Sequence, residues 1–168
     1  MKSFLIAPLF LALATGAQAK DVTPKSAPTS FAFEEIAKLA PAQVIGDTPL
    51  GRRQAIPITG GTFSGPGMSG QILPGGADYQ LIRPDGAVLI DAEYMIETDD
   101  HVIIHVRNVG VLALPGKNTP GYAWAAPTFA APKGPYGWLN DAIFVSHIGP
   151  ADKTDGPAVK ITIYKVGP

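Results

Sequence analysis

Between Ile58 and Asp78 the chain reads ITGGTFSGPGMSGQILPGGAD, with seven glycines and two prolines in twenty-one residues. That density excludes a helix, because glycine costs backbone entropy and proline removes a donor. Two uses remain: a phosphate cradle, or an irregular path of extended backbone. Gly65-Pro66-Gly67-Met68-Ser69-Gly70 spells G-x-G-x-x-G. A dinucleotide site, however, needs a strand before the glycines and a helix after them, so that the helix N-terminus meets the pyrophosphate. Here Gln71-Ile72-Leu73 and then Pro74-Gly75-Gly76 follow, which leaves no room for a helix. A P-loop also fails, since the chain has no Gly-Lys-Ser/Thr. The glycines therefore serve the backbone. Gly60-Gly61 permits a bulge or kink, Gly65-Pro66-Gly67 a hairpin turn, and Gly75-Gly76 an irregular crossing that aims Asp78.

The same punctuation continues along the chain. Short apolar runs are separated by turn signals without sustained helical periodicity, the pattern of an all-β protein. Arg83-Pro84-Asp85-Gly86 has the form of a type I turn, with Pro second and Gly fourth. It joins ADYQLIR to AVLIDAEYMIET, and Thr98-Asp99-Asp100-His101 turns that run into HVIIHVRNVGVL, so these three strands form a meander. Pro57 marks an edge or bulge within RQAIPITGGTFSG. FAFEEIAKLA is ambiguous: Glu34, Glu35, Ala37 and Lys38 favour helix, while Phe31, Phe33, Ala37 and Leu39 share one strand face. Its all-β surroundings favour the strand. WLNDAIFVSHI and AVKITIYKV read as the last two strands. Residues 110–137 read as a long Pro/Gly-rich connection carrying Tyr122, Trp124, Phe129 and Tyr136, either a lid or a loop that packs its aromatics on the wall. About eight strands imply a sandwich or a closed barrel, and closure removes the exposed edges. The expectation is a single antiparallel β-barrel spanning residues 31–168.

The N-terminus is a separate object. Lys2, an apolar stretch from Phe4 to Ala14 and Ala17-Gln18-Ala19 have the form of a secretory signal peptide over residues 1–19, with cleavage after Ala19 and a periplasmic or secreted destination. The apolar stretch is shorter than the ~20 residues of a membrane span, and no membrane association is expected after cleavage. Residues 20–30, KDVTPKSAPTS, read as a polar tether. The chain has no Cys, which excludes disulfides, thiolate metal sites and a Cys nucleophile. A formal charge of −1 without a Lys/Arg run argues against a nucleic-acid partner.

GRRQAIPITGGTFSGPGMSGQILPGGADYQLIRPDG, followed by DAEYMIETDD, VRNVGV and YGWLN, resembles the bacterial and fungal family known as domain of unknown function 3237. The resemblance runs from Phe33 to Val166. It implies a β-barrel, and, because some fungal members act as cyclisation catalysts in polyketide pathways, a small-molecule site at the barrel mouth.

The candidate chemistry narrows by elimination. His101 and His105 share a strand face but lie about 13 Å apart at ~3.3 Å per residue, so one ion cannot hold both. No metal and no cofactor are expected. Ser64 and Ser69 lie in Gly-rich turns and Ser146 precedes His147 on a strand, where neighbours face opposite sides, so no serine triad forms. What remains is a set of polar residues within apolar strands: Asp78, Asp91, Arg107 and Asn140. Asp91 and Arg107 suit a bidentate pair, expected to be buried in the wall and tying neighbouring strands. Asp78 is placed as acid/base, Arg107 as stabiliser of an oxyanion or enolate, and Asn140 as orienter of the substrate. Tyr94, Trp138 and Asp91 complete the candidate ligand site, although Tyr94 and Trp138 suit an aromatic core equally well. Two functions stay open. One is a cofactor-free isomerase, cyclase or lyase acting on an aromatic or polyketide-like substrate, and the other is a lipocalin-like carrier. A buried carboxyl of raised pKa favours the first, and a purely apolar cavity the second. Oligomeric state is not legible.

Overall fold

The structure, a computed structural model, describes residues 26–116, 120–152 and 155–168. The signal-peptide segment and tether residues 20–25 lie outside the described residues. Among the described residues ten strands run in chain order: β1 (Thr29–Leu39), β2 (Gln43–Thr48), β3 (Gly51–Gly65), β4 (Met68–Ile72), β5 (Gly76–Ile82), β6 (Val88–Thr98), β7 (Ile103–Ala113), β8 (Tyr122–Ala130), β9 (Ile143–Pro150) and β10 (Ala158–Val166). All pairings are antiparallel. The order β1-β10-β9-β8-β7-β6-β4-β3 closes through β1 onto β3, giving an eight-stave barrel in which β5 shares the stave of β4. The segment FAFEEIAKLA is strand, as its surroundings require, because β1 pairs with both β10 and β3.

The Gly-rich stretch builds the closure. The second half of β3 lies between β1 and β4, and its first half between β2 and β5. Pro57 falls where β3 passes from β2 to β1, a local gap that its missing N–H suits. Gly61 sits at φ +143°, and a Cβ there would lie 2.0 Å from the Ile36 carbonyl oxygen across the seam. Only glycine lets β1 and β3 approach so closely. Gly76 does the same at the crossing from β4 to β5, where a Cβ would fall 2.5 Å from the Tyr94 Cβ. The meander β5-β6-β7 forms as expected, and the 83–86 turn closes with Gly86 N–H donating to the Arg83 carbonyl at 2.9 Å.

Two sequence expectations need correction. Residues 110–137 are not one connection: they complete β7 and contribute β8, which pairs with β7 along its whole length and with β9 at Trp124 and Ala125. YAWAAPTFA mixes strand-favouring aromatics with four alanines and a proline, so the neighbouring ladder decides its strand character. The run WLNDAIFVSHI is also divided, since Gly137–Asn140 forms a 3-10 turn and the strand begins at Ile143.

The barrel interior is layered. One end is filled by aromatic and aliphatic side chains. Phe33 packs against Phe63 and Phe129 at centroid distances of 5.9 and 5.8 Å, and Phe129 meets Phe144 at 5.0 Å. Ile96, Ile104, Leu139 and Ile163 complete this plug at 1% exposure or less. Moving along the same inward faces, Phe33 gives way to Glu35 on β1, Ile96 to Tyr94 on β6, Val106 to Asn108 on β7 and Phe144 to Ser146 on β9, all buried. Beyond this polar belt the barrel is hollow.

Candidate functional site

The hollow end encloses a cavity of about 330 Å³, within the size range of small-molecule sites. Its wall is mostly aliphatic: Ile56, Ile58, Ile90, Leu112, Ile148 and Ile161 are representative. Four polar side chains interrupt it, namely Asp78, Gln80, Tyr94 and Asn108.

Asp78 arrives from the Gly75-Gly76 crossing, two residues before Gln80 on the same face of β5. Its Oδ2 accepts from Gln80 Nε2 at 2.6 Å, and its Oδ1 accepts from the Asp91 backbone N–H at 3.1 Å. Gln54 Nε2 in turn donates to Gln80 Oε1 at 2.8 Å, so an amide chain leads from β3 across β5 to the carboxylate. Burial raises the Asp78 pKa above the ordinary carboxylate value, and the two donated hydrogen bonds oppose that shift without cancelling it. The group therefore holds its proton more strongly than a surface aspartate and sits beside apolar space, as acid/base work requires.

On the floor, the Tyr94 hydroxyl donates to Glu35 Oε2 at 2.5 Å, while Glu35 Oε1 is buried without a hydrogen-bond partner among the described residues. Glu35 is fully buried. Desolvation lifts its pKa to about 7, only partly offset by the Tyr94 hydrogen bond. The Tyr94 phenol is held well above its ordinary value by burial and by the charge of Glu35. Beside them, the Ser146 hydroxyl donates to Asn108 Oδ1 at 3.2 Å, which leaves the Asn108 amide nitrogen as the end able to donate to a ligand.

Of the residues singled out from sequence, Asp78 and Tyr94 are brought together at this cavity. The others are not. Arg107 alternates with inward-facing Val106 and Asn108, so it points away from the cavity. It forms the expected bidentate pair with Asp91, Nε to Oδ1 at 2.8 Å and Nη2 to Oδ2 at 2.9 Å, but on the exposed outer wall, with side chains 53% and 43% accessible. The expected burial of this pair, and the placing of either partner in the site, are therefore corrected. Asn140 has no free amide to orient a substrate: Oδ1 accepts from Ala131 N–H at 2.9 Å, and Nδ2 donates to the carbonyls of Ala131 at 2.9 Å and Gly137 at 3.1 Å. It clips the 3-10 turn to the end of β8. Trp138 packs on Phe144 at 5.7 Å, at the plugged end.

Glu35, Gln80, Asn108 and Ser146 were missed. For Glu35 the signal was available, because position 35 has the same parity as Phe31, Phe33, Ala37 and Leu39. The histidines stay apart. His101 and His105 each contact one carboxylate, Glu97 and Glu93, at 2.9 Å, and His147 packs against Trp124 at 5.1 Å. Among the described residues no group of three or more His, Asp or Glu could hold a metal ion.

Residues 27–166 match the family described as "Protein of unknown function (DUF3237)". A UPF0311 protein of Rhodopseudomonas palustris is 42% identical over 83 residues, which span 49% of this chain and 54% of that protein, about half its length. A UPF0311 protein of Bradyrhizobium diazoefficiens is 33% identical over 130 residues, or 70% of this chain and 85% of the relative. Among solved structures, a conserved protein of unknown function from R. palustris superimposes with a TM-score of 0.76 at 31% identity, covering 85% of this chain and 99% of that one. A β-barrel-like protein of Acinetobacter baumannii gives 0.73 at 28% identity, covering 86% and 98%. A protein of Penicillium herquei described as an enzyme shares the fold, with a TM-score of 0.69 at 21% identity, covering 86% and 98%. Chemistry at the cavity does not follow from any of these likenesses, but membership does: the chain belongs to the DUF3237 family of β-barrel proteins.

Proposed function

We propose that this chain is an exported, small-molecule-binding barrel that moves a proton on a largely apolar, aromatic or polyketide-like ligand without a cofactor. One observation carries the reading: the Asp78 carboxyl, with its proton affinity raised by burial, lines a mostly aliphatic cavity beside the amide of Gln80. As carboxylate it takes a proton from a carbon or hydroxyl of the ligand. The negative charge then moves onto a ligand oxygen, which Gln80, Asn108 or Tyr94 meets with a hydrogen bond, and Asp78 returns the proton at a second atom. The reaction is then an isomerisation or ring closure with no net change in protons.

The carrier reading keeps one specific support. Arg107 lies outside the cavity, and among the described residues no cationic side chain lines it to stabilise an oxyanion. Native mass spectrometry of protein purified from the periplasm, seeking a co-purified ligand, followed by incubation of that ligand with wild type and Asp78→Asn, separates the two. Wild type converting the ligand while Asp78→Asn only binds it supports the enzyme. Unchanged ligand with both proteins supports the carrier.

A further inference from the structure

A buried carboxyl with one unpaired oxygen is a costly choice for a barrel floor, where an aliphatic side chain would pack without penalty. Its geometry gives it a use. Glu35 does not itself line the cavity, whereas Tyr94 does, and among the described residues the only side-chain hydrogen bond that Glu35 makes is to the Tyr94 hydroxyl. The flanking strands present Phe63 from β3 and Ile161 from β10 in register with Glu35, both apolar. Its strand neighbour Glu34 faces the opposite side, where its carboxylate accepts from the Thr162 hydroxyl. Besides Tyr94, Asp78 is the only titratable residue lining the cavity among the described residues. Thus the two protonation states of Glu35 are sensed by one hydroxyl.

In the carboxylate state the Tyr94 proton is committed to Glu35 Oε2, so the phenol offers the cavity only a lone pair. In the acid state the carboxyl proton itself donates to the Tyr94 oxygen, and the Tyr94 proton is free to point at a ligand. We infer that Tyr94 and Glu35 form a ligand-coupled proton site, in which a ligand oxygen that accepts a hydrogen bond from Tyr94 draws one proton from solvent onto Glu35. The balance is one proton taken up and no covalent bond to carbon made or broken. The ligand class selected is a compound with an acceptor oxygen, such as an aryl ketone, on a flat apolar body. By linkage, such a ligand binds more tightly as pH falls through the Glu35 titration. The midpoint near 7 places that transition in an accessible range.

This inference rests on the cavity being the ligand site, and a matched pair of probes separates the two ideas. Acetylnaphthalene has the acceptor oxygen and ethylnaphthalene does not, at nearly equal size. Isothermal titration of the full mature chain in buffers of different ionisation enthalpy reads proton uptake directly. For the ketone, about half a proton per ligand is expected near neutral pH, with about three- to tenfold tighter binding at about pH 6 than at about pH 8. The hydrocarbon should show neither. Glu35→Gln should abolish the uptake while still binding the ketone, and Tyr94→Phe, a check that survives if the first variant folds poorly, should bind both probes alike. Ketone and hydrocarbon binding equally without uptake would overturn the proton site and leave the cavity standing. Uptake persisting in Glu35→Gln would assign the proton to Asp78 and likewise overturn it. Failure of both probes to bind would overturn the cavity reading together with this one.

Discussion

Glu35→Gln should flatten the pH dependence of this barrel's stability. The unfolded chain releases the Glu35 proton near 4.5, whereas the folded barrel holds it to about 7. Between those values the folded state binds more protons than the unfolded state. Stability is thus fully present below 4.5, falls as pH rises through the window, and levels off above about 7. A displacement from 4.5 to about 7 corresponds to roughly 3 kcal/mol at about 1.4 kcal/mol per unit. Against a typical domain stability of about 5–15 kcal/mol this is a large share, on the order of 10 °C in melting temperature. Glutamine keeps the shape and an acceptor for Tyr94 but cannot titrate. Its amide nitrogen takes the place of the unpartnered Oε1, so its N–H donors are buried without a partner, which costs about 1–3 kcal/mol at low pH. The variant should therefore be the less stable protein at about pH 5 and should draw level with wild type, or pass it, by about pH 8. Asp78 is also raised by burial and adds a slope of the same sign, but it does so in both proteins and cancels in the difference. Urea unfolding of both chains at several pH values measures the effect. Parallel stability curves for wild type and Glu35→Gln would refute the reasoning, because they would mean that Glu35 titrates alike in folded and unfolded chains.

Other substitutions test the site and the closure. Asp78→Asn should lose most turnover of, or affinity for, whatever ligand co-purifies, with stability within about 1 kcal/mol of wild type, since the Gln54–Gln80 amide chain can reverse to suit an amide; a large fall in melting temperature with normal binding would make Asp78 structural. Arg107→Met should leave both stability and ligand binding nearly unchanged, because the Asp91 pair is exposed on the outer wall, and melts with ligand titration on the same variant check both. Gly61→Ala should destabilise by more than about 2 kcal/mol in denaturant unfolding, as its Cβ would collide with the Ile36 carbonyl at the seam. N-terminal sequencing of exported protein should find Lys20 first, and an intact Met1 would sink the export reading.

Much of this molecule was legible before any coordinates. Glycine's freedom at Gly61 and Gly76, proline's missing donor at Pro57 and the turn chemistry of residues 83–86 are local properties, and local backbone physics is what a sequence records most directly. The path of Asp78 into the barrel followed from the same glycines. Strand parity also held the outward placing of Arg107, which alternates with Val106 and Asn108, and the inward placing of Glu35, although charge on a residue argues against trusting parity there. What parity cannot supply is depth along the barrel axis and the identity of the facing strand. Glu35 meets Tyr94 across 59 residues of sequence, and Ser146 meets Asn108 across 38. β8 was hidden because its four alanines and Pro127 break up the strand-favouring aromatics, and the strand is held by neighbours on both sides. Nor could the sequence show that the phenylalanines would gather at one end and leave the other hollow, because that depends on stagger between staves, which closure sets for all strands at once. The fold class was written in single residues. The cavity and its polar floor were decided only when eight staves closed on one another.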